Sequence, residues 1–370
     1  MLCSVHMMVR DASVVARRAL GFLRKIPEAS QCFEVCFVDT GSADGTPDAI
    51  MRECAALGVR CEGTAISSTS RPDLYFPDVA SSYEPHVVPF PTGQMLLSDW
   101  AAARNLGLDM CRGEWVMKLD ADDVVLRPDN ILPGIRSLSA TRRDVEIVAC
   151  PYEVCGAGGE TLYVTMYTRF WRNKPEIRFR QKCHENVDWC RGVGGSNWLM
   201  TNHGLSFRDL RDCPSRVPYR NYKVLLHEYQ NLVGAGLEPG LHLLFYLADG
   251  ALEVDPGFAH ELTDRIATTN DGRGFLHPID EAWVRLIRGS SCEKRELVDE
   301  AANEYARAAA CGSGRAQLRL AMLGRMFRHD NWRRNLVEAI AANEGRCWPR
   351  YASIAEVELA KQMLSLEEGT

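Results

Sequence analysis

The sequence predicts an α/β domain built on a mostly parallel central sheet, followed by an all-helical domain. Three observations predict it. Strand-like and helix-like runs alternate from the N-terminus, the pattern of parallel strands joined by helices. A short apolar run, Trp115-Val116-Met117-Lys118-Leu119, ends in Asp120, Asp122 and Asp123, so three acids fall where a strand leaves a sheet. From about Pro214 helical spacing takes over and continues to the C-terminus.

In order, residues 2–9 read as the first strand and Ser13 to Lys25 as a helix with Val14, Val15, Ala19, Leu20 and Leu23 on its apolar side. Phe33 to Val38 reads as the second strand, closed by a turn of Gly, Ser and Asp. Pro47 to Leu57 is the second helix, and Val59-Arg60-Cys61 opens a short third strand. Residues 64–98 are rich in Ser and Pro with little periodicity, which predicts a long irregular loop or a small insertion over the ligand edge of the sheet. A helix from Leu97 to Met110 leads into the Trp115 strand. Residues 145–154, 161–171 and 196–207 are further strands, split by Gly-rich turns at 156–159 and 192–195.

The second half reads as helices over Tyr219–Val233, Leu241–Ala251, Phe258–Ala267, Ile279–Ile287, Glu293–Ala310, Arg315–Phe327, Trp332–Ala342 and Ile354–Leu364. Short paired helices with tight turns predict an array of helical hairpins. The boundary is placed so that residues 1–213 form the α/β domain and 214–370 the helical one.

At 370 residues the chain suits two domains. With 46% hydrophobic and 25% charged residues it is a folded protein, and a formal charge of −6 argues against a broad nucleic-acid surface. The fourteen cysteines are scattered, with no paired Cys-x-x-Cys set of the kind that builds a zinc site. Cys32 and Cys36 are the close pair, and a strand there puts both thiols on one face. No basic segment followed by an apolar core opens the chain, and no apolar run approaches a membrane span. The expectation is a cytoplasmic protein with reduced thiols.

Asp39-Thr40-Gly41-Ser42-Ala43-Asp44-Gly45-Thr46 follows a strand and precedes a helix. Asp39 therefore sits at a strand's C-terminal end, where open sheets bind ligands, and Asp44 or Thr46 caps the helix. Strand alternation puts Asp120 and Asp122 on one side, about 7 Å apart, and turns Asp123 outward as a cap. Paired carboxylates of this kind share a hard cation with diphosphate oxygens, which suits Mg²⁺ or Mn²⁺ better than zinc. Upstream, Asp99 caps a helix that carries Arg104, placed to face a diphosphate or pair with an acid.

Ser4-Val5-His6-Met7-Met8-Val9-Arg10, the Asp39–Thr46 turn, Asp99…Arg104-Asn105 and Asp120-Ala121-Asp122 together resemble family-2 glycosyltransferases of the GT-A fold. Arg169-Phe170-Trp171-Arg172-Asn173-Lys174, Ile177-Arg178-Phe179, Lys182-Cys183-His184-Glu185 and His203-Gly204 continue the likeness over roughly residues 2–208. The remainder resembles the tetratricopeptide-like helices that follow such domains in one subgroup. The resemblance implies a nucleotide-diphosphate sugar donor, a UDP-sugar favoured, lying along Val9, Asp39, Gly41, Ser42, Arg104 and Asp120. It implies a metal pair of Asp120 and Asp122, with Asp122 the direct ligand and His203 completing the shell. It implies inversion, with Glu185 as base and His184 as orienter or alternate base. The Glu-Asp base motif of many relatives is missing here.

The acceptor is open among a glycan, a peptide or protein, and a modified nucleic acid approached by the basic residues 169–182. The helical array suits a polypeptide acceptor or a homodimer. A catalytically retired domain that presents this array to a partner protein is the competing reading, against which the intact acids stand.

Overall fold

The computed structural model describes residues 1–77, 95–142, 144–156, 159–187, 198–200, 205–209, 217–269, 278–327, 331–343, 352 and 354–365. The chain divides into two compact units, one of Met1–Glu160 with Met166–Pro214, the other of Thr161–Thr165 with Ser215–Thr370. Among the described residues, no helix is long and apolar enough to cross a membrane.

The α/β unit is organised by β1 (Cys3–Val9), β2 (Phe33–Asp39), β3 (Arg60–Ala65) and, beyond the short β4 (Tyr75–Pro77) and β5 (Met95–Leu97), by β6 (Trp115–Lys118) and β7 (Asp123–Val125). The strands β8 (Ile147–Cys155), β9 (Thr161–Arg172), β10 (Trp198–Met200) and β11 (Phe207–Asp209) complete it. Their order is β3-β2-β1-β6-β9-β8-β11-β7, with β10 also on β8. The run β3-β2-β1-β6 is parallel, while β9 runs against β6 and β7 against β11. The architecture is the expected one, a mostly parallel sheet followed in the chain by helices.

Every residue of β2 is buried, as a strand covered on both faces must be. Helices α1 (Ser13–Leu20), α2 (Ala29–Cys32), α3 (Thr46–Ala56), α4 (Trp100–Leu108) and α5 (Ile131–Thr141) supply the covers. Asp99 caps α4 by accepting the Ala102 N–H at 2.8 Å. Gly107 lets α4 press onto the sheet, because a Cβ there would lie 2.4 Å from His6 Nε2. Gly107→Ala is expected to cost about 1–3 kcal/mol through overpacking, read as a lower denaturation midpoint with an unchanged slope.

Three expectations need correction. Cys32 ends α2 instead of joining the strand of Cys36, so the two thiols do not share a face; Cys36 meets Cys111 instead. The segment 64–98 holds regular structure, with β4 and β5 paired antiparallel and buried through Tyr75, Phe76, Leu96 and Leu97; 78–94 lie outside the described residues. Helix α5 was not anticipated, although Ile131, Leu132, Ile135 and Leu138 form its buried stripe.

The helical unit runs α6 (Val217–Gly234), α7 (Leu241–Ala251), α8 (Pro256–Thr269), α9 (Pro278–Lys294), α10 (Val298–Ala310), α11 (Gly314–Met326), α12 (Trp332–Asn343) and α13 (Ile354–Ser365). Each packs on the next, as stacked hairpins do. The sequence reading broke α9 near Gly289, but the helix runs through it and ends before Glu296, whose φ is 61°. Gly289 is a contact point: a Cβ there would lie 2.6 Å from the Tyr305 ring of α10.

Candidate active site

The parallel register brings the functional residues to one edge. Val9 ends β1 beside Asp39 at the end of β2, and Lys118 ends β6 beside His6. The order β2-β1-β6 makes this edge the point where the chain's progress across the sheet reverses, the usual ligand crevice of open α/β sheets.

The loop after β2 is tied down by its own acids. Asp39, 3% exposed, accepts the Ser42 N–H at 3.1 Å, the Gly41 N–H at 3.3 Å and the Ser42 hydroxyl. Gly41 takes φ 97° and Gly45 φ 76°, values that only glycine adopts without strain. Val9 O accepts the Thr40 N–H at 2.9 Å, and Asp11 accepts the Ala43 N–H at 2.7 Å. Asp44 accepts both the Ser13 and Thr46 N–H groups, so it satisfies the first N–H of α3 from one residue before the Gly45 N-cap.

Beyond this loop lies a buried ionic network. Arg104, 4% exposed, donates through Nε to Glu185 at 2.5 Å and through Nη2 to Asp120 at 2.7 Å. Lys118 Nζ stands 3.7 Å from Asp120 and 3.8 Å from Glu185. Arg169 binds Asp123 at 2.6 Å and lies 3.7 Å from the far oxygen of Asp120. Burial by itself would raise the Asp120 carboxyl, but Lys118, Arg104 and Arg169 outweigh it and hold the group well below the usual range. Glu185 follows the same logic: burial opposes its charge, Arg104 and Lys118 favour it more, and its pKa falls. Burial and Arg104 pull the Lys118 ammonium down.

Asp123 is fully buried and faces inward, correcting the expected outward turn. It does cap, accepting the Asp120 N–H at 2.7 Å, and it also takes the Tyr152 hydroxyl at 2.8 Å. Burial, Asp120 and Asp122 push its carboxyl up against the pull of Arg169. The Arg169 guanidinium lies 4.3 Å from the Tyr152 ring and 5.2 Å from that of Tyr167.

Asp122 is half-buried on the turn and His184 is half-buried with φ 56°. His203 lies outside the described residues. The basic residues of 169–182 do not form one surface: Arg169 is interior, Arg172 pairs with Glu114, Lys174 with Glu146 at 2.6 Å and Arg178 with Asp109 at 3.1 Å. Lys118, Asp123, Tyr152, Tyr167 and Arg169 were not anticipated as site residues. Alternation offered the signal, since Lys118 and Asp120, like Tyr167 and Arg169, are two residues apart.

Below the network His6 is fully buried, and its Nε2 bonds Arg104 O at 2.8 Å, which makes Nε2 the protonated nitrogen. Burial, then Arg104, lowers its pKa to about 3. The unfolded chain takes up that proton near 6.5. The stability gained by keeping His6 neutral is therefore complete above about pH 6.5 and lost as pH falls toward 3, by at most about 1.4 kcal/mol per unit. His6→Gln is expected to flatten that part of the stability–pH curve.

Residues 76–195 match the model of Glycosyl transferase family 2. The match covers about a third of the chain. The matched segment holds Arg104, Asp120, Asp122, Asp123, Arg169, His184 and Glu185. A TPR repeat-containing protein of Synechococcus elongatus is 26% identical over 196 residues, 50% of this chain and 35% of that protein. The chain thus spans well under half the length of this curated relative. Among solved structures, S. aureus TarS 1-349 in complex with UDP-GlcNAc aligns over 84% of this chain and 91% of its own, with 13% identity and a TM-score of 0.44. A mannosyltransferase from Pyrobaculum calidifontis in complex with GDP-Man and Mn²⁺ aligns over 99% and 87%, with 14% identity and a TM-score of 0.45.

Proposed function

We propose that the domain of residues 1–213 transfers a sugar from a nucleotide-diphosphate sugar, a UDP-sugar in preference, with inversion, to an acceptor that is a glycan, a peptide or protein, or a modified nucleic acid, and that residues 214–370 form a tetratricopeptide-like helical domain. The observation that carries this reading is the neutralised Asp120–Arg104–Glu185 network beside the Asp39 loop, at the carboxyl ends of the parallel strands. Asp39, Gly41 and Ser42, with Val9 behind them, shape the edge on which the nucleoside would lie. Arg104 is the cation placed for the diphosphate: its Nη1 is buried and has no hydrogen-bond partner among the described residues.

A divalent cation fits this donor set. Among the described residues no group of three or more His, Cys, Asp or Glu could hold a metal, so the arrangement suits an ion shared with phosphate oxygens, as Mg²⁺ and Mn²⁺ sites commonly are. Asp120 is already committed to Arg104, with two further cations at 3.7 Å. Asp122 is the proposed direct ligand, with Asp120 beside it and His203 completing the shell. When bound, the ion would neutralise the leaving diphosphate.

Glu185 is the proposed base, with His184 next to it. Arg104 and Lys118 keep it ionised, the form a base needs. Glu185→Gln is expected to retain donor binding, measured by calorimetry with UDP-sugars and Mn²⁺, and to lose transfer about a hundredfold or more. Retained transfer would move the base elsewhere. Turnover screening of UDP-, GDP- and dTDP-sugars with Mg²⁺ or Mn²⁺ tests the whole reading, and no turnover or binding of any of them would favour a retired scaffold.

A further inference from the structure

The stretch Glu53-Cys54-Ala55-Ala56-Leu57-Gly58-Val59-Arg60-Cys61 places a thiol on each side of the turn from α3 into β3. Backbone bonds close that turn. Gly58 takes φ 64°, the Val59 N–H donates to Cys54 O at 3.0 Å, and the Gly58 N–H donates to Ala55 O at 3.1 Å. This pairing of a six-to-one with a five-to-two bond is a glycine-ended helix stop, and it sends the chain back beside the last turn of α3. β3 then pairs with β2, Cys61 opposite Val35 and Gly63 opposite Phe37. Side chains alternate along a strand, so Arg60 and Glu62, which bond each other, take one face and Cys61 the other. There the Cys61 and Cys54 thiols hydrogen-bond each other.

The two sulfurs differ in what they can do. Cys54 is 0% exposed, whereas Cys61 is half-buried on the edge strand of the sheet. The hydrogen bond from Cys54 pulls the Cys61 thiol down against its burial, and Arg60 adds to the pull. The same bond, with burial, pushes Cys54 up. An accessible sulfur that favours the thiolate, backed by a second thiol, is the arrangement that senses peroxides.

We propose that Cys54 and Cys61 form a reversible disulfide under a hydroperoxide, with Cys61 as the attacking sulfur and Cys54 as the resolving one. The Cys61 thiolate attacks a peroxide oxygen, the O–O bond breaks, and the departing hydroxide takes up a proton as water, leaving a sulfenic acid. Cys54 attacks that sulfur. The S–S bond forms, the S–O bond breaks, and the Cys54 proton leaves with the hydroxide as a second water. Two thiols are thus oxidised by two electrons and one hydrogen peroxide is reduced to two waters. A dithiol reductant returns the pair to thiols by exchange. The turn holds the sulfurs together beforehand, so bond formation needs little movement of α3 or β3. Cys61 lies toward the start of β3 while Ala65 at its end pairs with Asp39, so oxidation is expected to leave the edge proposed for the donor undisturbed.

The test treats the full chain with equimolar hydrogen peroxide, blocks the remaining thiols with N-ethylmaleimide and weighs the tryptic peptides. The expected product joins the peptides that begin at Glu53 and Cys61, lighter by two hydrogens, and dithiothreitol separates them. Cys61 should be consumed at least about tenfold faster than Cys311, a half-buried thiol that burial pushes up. Cys54→Ala should lose the linked product and leave a Cys61 sulfenic acid that dimedone captures. Cys61→Ser, at a half-buried position, should leave Cys54 as a free thiol, which keeps the test open if Cys54→Ala disturbs the fold. A Cys61 sulfinic acid beside free Cys54, a link from either residue to another cysteine, or consumption of Cys61 no faster than Cys311 would each overturn the proposal.

Discussion

Arg169→Met is expected to destabilise the α/β unit by about 3–5 kcal/mol, the largest stability loss of any single change to the site. Arg169 is 1% exposed and Asp123 wholly buried, 2.6 Å apart. Removing the guanidinium leaves the carboxylate in the protein interior with only the Tyr152 hydroxyl and one backbone N–H to hold its charge. The cavity left among Tyr152, Tyr167 and Phe207 adds to the cost. Denaturant unfolding of the parent, Arg169→Met, Asp123→Asn and the double variant measures it. The double variant should recover a large part of the loss, because an amide no longer needs a counter-charge. A loss under about 1 kcal/mol for Arg169→Met would mean that the pair is solvated in solution.

Asp122→Asn is expected to reduce metal-dependent turnover of a nucleotide sugar by about a hundredfold or more while the thermal midpoint hardly moves. Asp122 is half-buried on the turn beyond β6, and as the proposed metal ligand its loss should fall chiefly on the cation. Asp120→Asn is the informative contrast. It takes the counter-charge from Arg104 and Lys118 alike, so stability and turnover should fall together. Equal turnover by Asp122→Asn and the parent would remove the metal assignment, and a large loss of stability in that variant would make Asp122 a structural acid.

Position along a strand was readable without coordinates. Asp39 and Asp120 follow apolar runs closed by turn residues, and both lie where those runs leave the sheet. Partnership was not readable. The Arg104–Glu185 bond joins residues 81 positions apart and the Arg169–Asp123 bond residues 46 apart, and no local pattern encodes such pairs. The same blindness explains Asp123, which looks like one more solvated acid until β8 and β9 bring Tyr152 and Arg169 to it. It also explains Gly289, where a residue that usually weakens a helix is needed for close contact with Tyr305.

The sequence by itself determined the class of the fold, because burial demands period two in strands and period 3.6 in helices, and that demand is written locally. It determined as well which acids stand at the open end of the sheet. Only the tertiary structure decided how their charge is managed. A buried carboxylate is tolerated when a cation is brought against it, and Arg104, Lys118 and Arg169 arrive from α4, β6 and β9, elements that meet only once the chain has folded.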